Sequence, residues 1–179
     1  VLSATLKVKN GESVYERDSV IFDQIEYSWP VLTGLMWAAA QNSGCLKVLD
    51  FGGSLGSSYF ENRLFLNYLP NFSWNVVEQA HFVVAGKKHF QDEYLRFYET
   101  IDGCVQDIKP NAILLSSVLQ YLRDPGKIID TLIKIGSDVI LIDRTIVNSN
   151  SVNNILSSMY RLQYTQPVIH AIRFLNLGC

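Results

Sequence analysis

The sequence predicts an α/β domain, a doubly wound and mostly parallel sheet with helices on both faces. Three observations carry that expectation. Short, largely apolar segments of strand length alternate with segments of helical period from about residue 30 to residue 146. Strands that are short and largely apolar fit a sheet covered on both sides. A glycine-rich turn joins the first such strand to the helix after it, and 179 residues at 48% hydrophobic and 18% charged suffice for one core.

Taken in order, residues 1–29 read as an N-terminal arm whose run Glu16-Arg17-Asp18 is either a cover over a site or a solvated segment. Ser28-Trp29-Pro30 opens a helix with Pro in its first turn; Val31, Leu32, Leu35, Met36 and Ala39 share a face, and Asn42-Ser43-Gly44 ends it. Leu46–Phe51 is the first strand, and Gly52–Gly56 turns into a helix carrying Tyr59, Phe60, Leu64, Phe65 and Tyr68 that stops at Pro70. Trp74–Glu78 is the second strand, Gln79–Phe90 a helix despite Gly86, Tyr94–Ile101 the third strand and Ala112–Ser116 the fourth, entered from Pro110-Asn111. Val118–Leu122 is a helical turn ended by Asp124-Pro125, Gly126–Ile135 a helix, and Asp138–Asp143 a fifth strand rich in β-branched residues. Beyond Thr145 the pattern weakens: Asn148–Asn154 reads as loop, Ile155–Leu162 as helix, Val168–Phe174 as one more strand. Strands joined by helices imply right-handed crossovers and a ligand site at the strands' carboxyl ends, where the strand order reverses.

Composition excludes several functions. Fifteen Lys and Arg against seventeen Asp and Glu leave a formal charge of −2, which argues against a nucleic-acid or anionic-membrane partner. No apolar run approaches the roughly 20 residues of a membrane span. Cys45, Cys104 and Cys179 are odd in number and never in a C-x-x-C pair, which fits neither a disulfide framework nor a zinc site and points to a reducing, cytoplasmic setting. A chain starting at Val1 without a basic-then-apolar leader reads as a piece of a longer polypeptide.

The chemistry concentrates in Val48-Leu49-Asp50-Phe51-Gly52-Gly53-Ser54-Leu55-Gly56. Glycines let the backbone turn sharply and approach a ligand with no Cβ in the way. A dinucleotide fingerprint needs glycine at Gly52, Ser54 and Ser57, and two of these fail. The acid-x-Gly-x-Gly-x-Gly pattern of methyltransferases maps onto Asp50, Gly52, Ser54 and Gly56, and only the middle glycine fails. Asp50 suits the ammonium group of S-adenosylmethionine (SAM) and would repel a pyrophosphate. Its competing reading is a helix cap. Glu78, 22 residues past Gly56, ends the next strand beside Gln79, where a carboxylate can accept from both ribose hydroxyls. Ser116 and Ser117 either contact the cofactor's methionine tail or begin a turn.

With these residues in view, the chain resembles class I SAM-dependent methyltransferases over residues 30–146, with 147–179 an incomplete or unusual acceptor region of the same domain. More narrowly it resembles a family of bacterial methyltransferases whose genes tend to lie in clusters for lipopolysaccharide O-antigen or other surface polysaccharides. The matching segments are Glu16-Arg17-Asp18-Ser19, Val48–Gly56 with Tyr59, Trp74–Gln79, Ser116–Leu122 with Asp124-Pro125, and Asp143-Arg144-Thr145. The resemblance implies a Rossmann-like sheet of order 3-2-1-4-5 with strands added near the C-terminus, SAM as cofactor, Asp50, Gly52, Gly53 and Gly56 in the cofactor loop, and Glu78 on the ribose. It implies a small-molecule or glycan acceptor. Ser54 departs from the class pattern, although its hydroxyl offers a donor to the cofactor carboxylate.

Methyl transfer is an in-line displacement for which the protein supplies alignment and exclusion of water. For a sugar hydroxyl a base would help, and Asp143, ending the fifth strand, is the first candidate, with Arg144 beside it to hold an acidic sugar or phosphate. The competing reading is an Asp143–Arg144 pair that fixes the turn. His81, His89 and His170 are weaker candidates. No Asn/Asp-Pro-Pro-Tyr motif and no Pro-Cys pair supports nucleobase methylation. A non-catalytic nucleoside- or partner-binding domain on the same fold is the alternative, and a nicotinamide-dependent reductase a weaker one.

Overall fold

A computed structural model describes residues 1–145 and the backbone of 169–174. The expected loop Asn148–Asn154 and helix Ile155–Leu162 lie outside the described residues, as does the side chain of His170. In chain order the elements are α1 Leu2–Lys9, β1 Tyr15–Arg17, β2 Val20–Phe22, α2 Trp29–Gln41, β3 Cys45–Phe51, α3 Ser57–Leu66, β4 Asn71–Val77 and α4 Ala80–His89. They continue with β5 Leu95–Tyr98, α5 Ile101–Asp107, β6 Ala112–Ser116, a 3-10 turn Leu119–Tyr121, α6 Pro125–Ile133, β7 Val139–Thr145 and β8 Ile169–Phe174.

The main sheet has the order β5-β4-β3-β6-β7-β8, parallel except that β8 runs antiparallel to β7. Counting from β3, that is the expected 3-2-1-4-5 with one added C-terminal strand. Side chains alternate between faces along each strand. Leu46 and Val48, Ala112 and Leu114, Val139 and Leu141 join a core formed with α1 to α4. Their neighbours Leu49, Ile113, Leu115 and Ile140 face the other way into a core with Cys104 of α5 and Leu132 of α6. Both faces are therefore dry at the centre of the sheet, which is why β6 and the first half of β7 read as continuous apolar runs, whereas β5 at the edge exposes Arg96. Asn111 seals the far end, its side chain accepting from Lys47 N and donating to Cys45 O, both at 2.8 Å, so that β6 enters beside β3 in register.

Several local expectations are corrected. The N-terminal arm, in which the sequence marks no elements, carries a helix and a hairpin: α1 buries Ala4, Thr5 and Val8, and β1 pairs antiparallel with β2 through the two-residue turn Asp18-Ser19. Both turn residues have positive φ (51° and 72°), the requirement of a type I′ hairpin turn. The third strand is only Leu95–Tyr98, because Thr100 accepts from Gly103 N at 3.0 Å and starts α5. In α3 the expected apolar face is only half right. Ser58 to Asn62 are all buried, Tyr59 and Phe60 against Phe72, Trp74 and Phe90 and Glu61 against Tyr15 of the N-terminal hairpin, while Leu64, Phe65 and Tyr68 are exposed. Met36 of α2 is likewise exposed, and Ala38 is buried in its place.

Gly86 explains itself by packing. A Cβ there would stand 2.5 Å from the buried ring of Phe97. Replacing glycine by alanine gains about 1 kcal/mol of helix propensity, but overpacking a filled core costs about 1–3 kcal/mol, and a contact this short puts the cost at the upper end. Gly86→Ala is expected to destabilise the chain by about 1–2 kcal/mol, read from the midpoint of urea unfolding; an unchanged or raised midpoint would show that the α4–β5 contact is loose.

Candidate functional site

The chain leaves β3 outward to β4 and β5, then crosses back to β6 on the other side of β3. The carboxyl ends of β3 and β6 thus border the point where the order reverses, the place where open α/β sheets form a crevice. There the structure has a cleft lined by Gly52, Gly53 and Ser54 from the loop after β3 and by Ser116 and Ser117 from the end of β6. Arg144 of β7, Ser57 and Ser58 of α3, Val1, and Glu16-Arg17-Asp18 of the N-terminal hairpin complete it, so the charged run is a wall of the cleft. Glu78 and Gln79 stand one strand away: Glu78 is half-buried after β4, its carboxylate accepting from Gln79 N, and Gln79 is exposed as the first residue of the α4 turn.

The loop is tight. Gly52 (φ 73°) donates to Val77 O at 2.9 Å, Gly56 (φ 91°) donates to Gly53 O at 2.9 Å, and Ser54 itself takes φ 55°. Asp50 lies beneath this loop and is 0% exposed. Its Oδ2 accepts from Trp74 Nε1 at 2.9 Å, and a Cβ on Gly53 would fall 2.3 Å from the same oxygen. Asp50 is not a helix cap: the residue before α3 is Gly56, with no side-chain cap bond. Oδ1 of Asp50 has no hydrogen-bond partner among the described residues. Burial pushes the Asp50 carboxyl up to about 7, against the bond from Trp74, which favours its charged form.

The other side of the cleft is a buried polar cluster. Asp143 is 1% exposed; it accepts from Ser28 Oγ and from Ser116 Oγ at 3.1 Å each and pairs with Arg144 Nε at 3.0 Å. Arg144 also donates to Ser116 Oγ at 2.9 and 3.1 Å and lies 3.7 Å from Glu61. Burial works against the guanidinium's charge, but Glu61 and Asp143 outweigh it and raise its pKa. Glu61 in turn accepts from Tyr15 OH at 3.2 Å and from Ser28 N at 3.1 Å. Ser57 Oγ donates to Glu16. A bulge in β7 between Ile142 and Thr145, with Arg144 at φ 50°, aims this arginine at the cleft.

The structure therefore brings together Gly52, Gly53, Ser54, Ser116, Ser117 and Arg144, and keeps Asp50 underneath, Asp143 behind Arg144, and Glu78 to one side. His81 is exposed on α4 against Phe82, and His89 sits at the far end of that helix. Tyr15, Ser28 and Glu61 escaped the sequence reading. Glu61 carried one signal, a carboxylate among aromatic residues on a helix, and Ser28, read as a helix start, gives its hydroxyl to Asp143 and leaves its helix uncapped.

No protein-family model matches the chain, and no curated protein does. Solved structures do resemble it. A pericyclic reaction enzyme is 14% identical with a TM-score of 0.52, covering 70% of this chain and 33% of its own. Human N-acetylserotonin methyltransferase in complex with SAM is 19% identical (TM-score 0.49; 70% and 36% covered). The N-terminal domain of EvdMO1, solved in the presence of S-adenosylhomocysteine (SAH) and D-fucose, is 19% identical (TM-score 0.41; 72% and 56% covered). The chain spans between a third and just over half of these structures. At such identities the likeness is one of fold, the Rossmann-like α/β fold already evident in the strand order.

The buried Asp50 gives a pH signature. An unfolded aspartate loses its proton near 3.9 and the folded one only near 7, so the folded state binds more protons between these values and its stability falls as pH rises from about 4 to about 7. Asn in place of Asp50 keeps the acceptor for Trp74 and carries no charge. The difference in melting temperature between Asp50→Asn and the parent chain is expected to be small at pH 4.5 and to grow in the variant's favour by pH 8. Parallel melting curves for the two proteins would contradict the assignment.

Proposed function

We propose that the chain is the SAM-binding core of a methyltransferase acting on a small-molecule acceptor, a sugar or glycan precursor in surface-polysaccharide synthesis. The observation that carries the cofactor is the reversal-point cleft, where the Gly52–Gly56 loop follows an acid-bearing strand and the neighbouring strand ends in Glu78. The acceptor class rests on the sequence resemblance in Glu16–Ser19, Ser116–Leu122 and Asp143–Thr145.

The residues fit such a cofactor chemically. Glu78 at the end of β4 supplies carboxylate acceptors for ribose hydroxyls. Ser54, Ser116 and Ser117 supply hydroxyls, and Arg144 a guanidinium, to the amino-acid end. When bound, SAM supplies an activated methyl group with its leaving group attached. The protein's part is alignment and exclusion of water. In this reading Asp143 holds Arg144 in place and does not act as the base, since Ser28, Ser116 and Arg144 occupy its oxygens. That engagement also favours a second reading, a nucleoside-binding domain without turnover.

Calorimetric titration with SAH is expected to show binding, weakened about tenfold or more in Glu78→Ala, the size of the loss when hydrogen bonds to a charged acceptor disappear. Absence of binding by the parent chain would overturn the cofactor assignment. Transfer of labelled methyl from SAM to a panel of nucleotide sugars separates the two readings.

A further inference from the structure

Of the carboxylates in and around the cleft, two have a buried oxygen without a hydrogen-bond partner among the described residues, Asp50 Oδ1 beneath the loop and Glu16 Oε2, and of these two only Glu16 lines the cleft itself. Asp143 is matched by Arg144, Ser28 and Ser116, and Glu61 by Tyr15, Ser28 N and Arg144. Glu16, from β1 of the N-terminal hairpin, lines the cleft with Gly52, Gly53 and Ser54 and is 1% exposed. Its Oε1 accepts from Ser57 Oγ, at the start of the helix that follows the loop, while Oε2 has no hydrogen-bond partner among the described residues. A carboxylate oxygen buried without a donor is costly. It becomes favourable when a ligand brings a cation to it, and an ammonium group, with three donors and a full charge, satisfies it by a charge-assisted bond.

We infer that Glu16, and not Asp50, receives the α-ammonium group of the cofactor's amino-acid end, with Arg144 as the cation available to its carboxylate. The inference rests on the SAM reading and deepens it. Asp50 is badly placed for this contact: it is absent from the cleft wall, fully enclosed, and packed against the backbone of Gly53. Its position suits support of the loop from below. Glu16 and Arg144 stand on the same cleft with opposite charges, the pattern that a zwitterion fits and that a pyrophosphate does not. The N-terminal hairpin is then part of the cofactor site, and the glutamate at its centre reads whether the ligand carries an amino acid.

The test removes the amine from the ligand as well as the carboxylate from the protein. Calorimetry would compare SAH, its deaminated analogue S-adenosyl-4-thiobutyrate, and 5′-methylthioadenosine, which lacks the whole tail. The parent chain is expected to prefer SAH over the deaminated analogue by about tenfold or more. Glu16→Gln, which keeps the acceptor for Ser57, is expected to bind the two alike and to bind 5′-methylthioadenosine as the parent does. Asp50→Asn is expected to keep the preference. A parent chain without preference, a Glu16→Gln variant that retains it, or an Asp50→Asn variant that loses it overturns the inference while SAH binding leaves the cofactor reading intact. Should the parent bind neither SAH nor 5′-methylthioadenosine, the cofactor reading falls and this inference with it. If thermal melting shows that Glu16→Gln does not fold, Glu16→Asp takes its place. It keeps the charge but shortens the reach, so a reduced preference for SAH supports the assignment and an undiminished one overturns it.

Discussion

The arrangement of the cleft depends on one buried ion cluster, in which Arg144 is held between Asp143 and Glu61. Taking a guanidinium and two carboxylates out of water is expensive and is repaid only when nearly every donor and acceptor is matched. Here the matching comes from five places in the chain: Tyr15 of the hairpin, Ser28 ahead of α2, Glu61 of α3, Ser116 of β6 and the Asp143-Arg144 step of β7. Removing any one partner leaves a buried charge short of a bond. The cluster therefore ties the hairpin and α2 to the carboxyl end of the sheet, and it explains why Ser28 leaves α2 without a cap, since its hydroxyl contributes more to a buried carboxylate than to an exposed helix end.

Strained backbone gathers at the same edge. Ser54, Ser117 and Arg144 all have φ between 50° and 55°, and each follows one of the strands bordering the cleft or sits at its end. Non-glycine residues hold this conformation at a cost of order 1 kcal/mol each and do so where the surroundings over-determine them. At Ser117 the constraint is visible: its N donates to Asp143 O at 3.0 Å, which clamps the end of β6 to β7 and turns the next residues over the loop. Val118 then meets Gly52, where a Cβ would stand 2.4 Å from Val118 Cγ2. Gly52 is thus glycine for two reasons, its positive φ and the side chain above it.

The sheet was legible in the sequence because burial on both faces writes a strand as an unbroken apolar run, as in Ala112–Leu115 and Val139–Ile142. The Gly52–Gly56 loop was legible because sharp turns and close contacts restrict residue choice. The N-terminal hairpin was not, since Tyr15-Glu16-Arg17 has the composition of a solvated segment and its turn uses Asp18-Ser19 in place of the Asn-Gly that signals type I′. Helix α5 was hidden by its length: Ile101–Asp107 spans two turns, contains Gly103, and is marked mainly by its cap at Thr100. Within the site, pattern alone pointed to Asp50 because it precedes the glycines. Pattern does not report depth, and depth separates an acid that faces a ligand from one that supports a loop.

That distinction bears on how far a fold can speak for a reaction. A pericyclic reaction enzyme has the same kind of sheet at 14% identity, so the strand order provides a crevice and leaves the chemistry open. What narrows the chemistry is the charge arrangement inside the crevice. A carboxylate oxygen without a partner and a guanidinium held in place by two buried acids face the same small space, beside hydroxyls from Ser54, Ser116 and Ser117. A phosphate would meet Glu16 as a repulsion. A neutral nucleoside would leave its buried oxygen unsatisfied. A ligand carrying an ammonium and a carboxylate on one carbon satisfies both ends, and it does so with groups drawn from the hairpin and from β7, two segments that the sheet alone would not bring together.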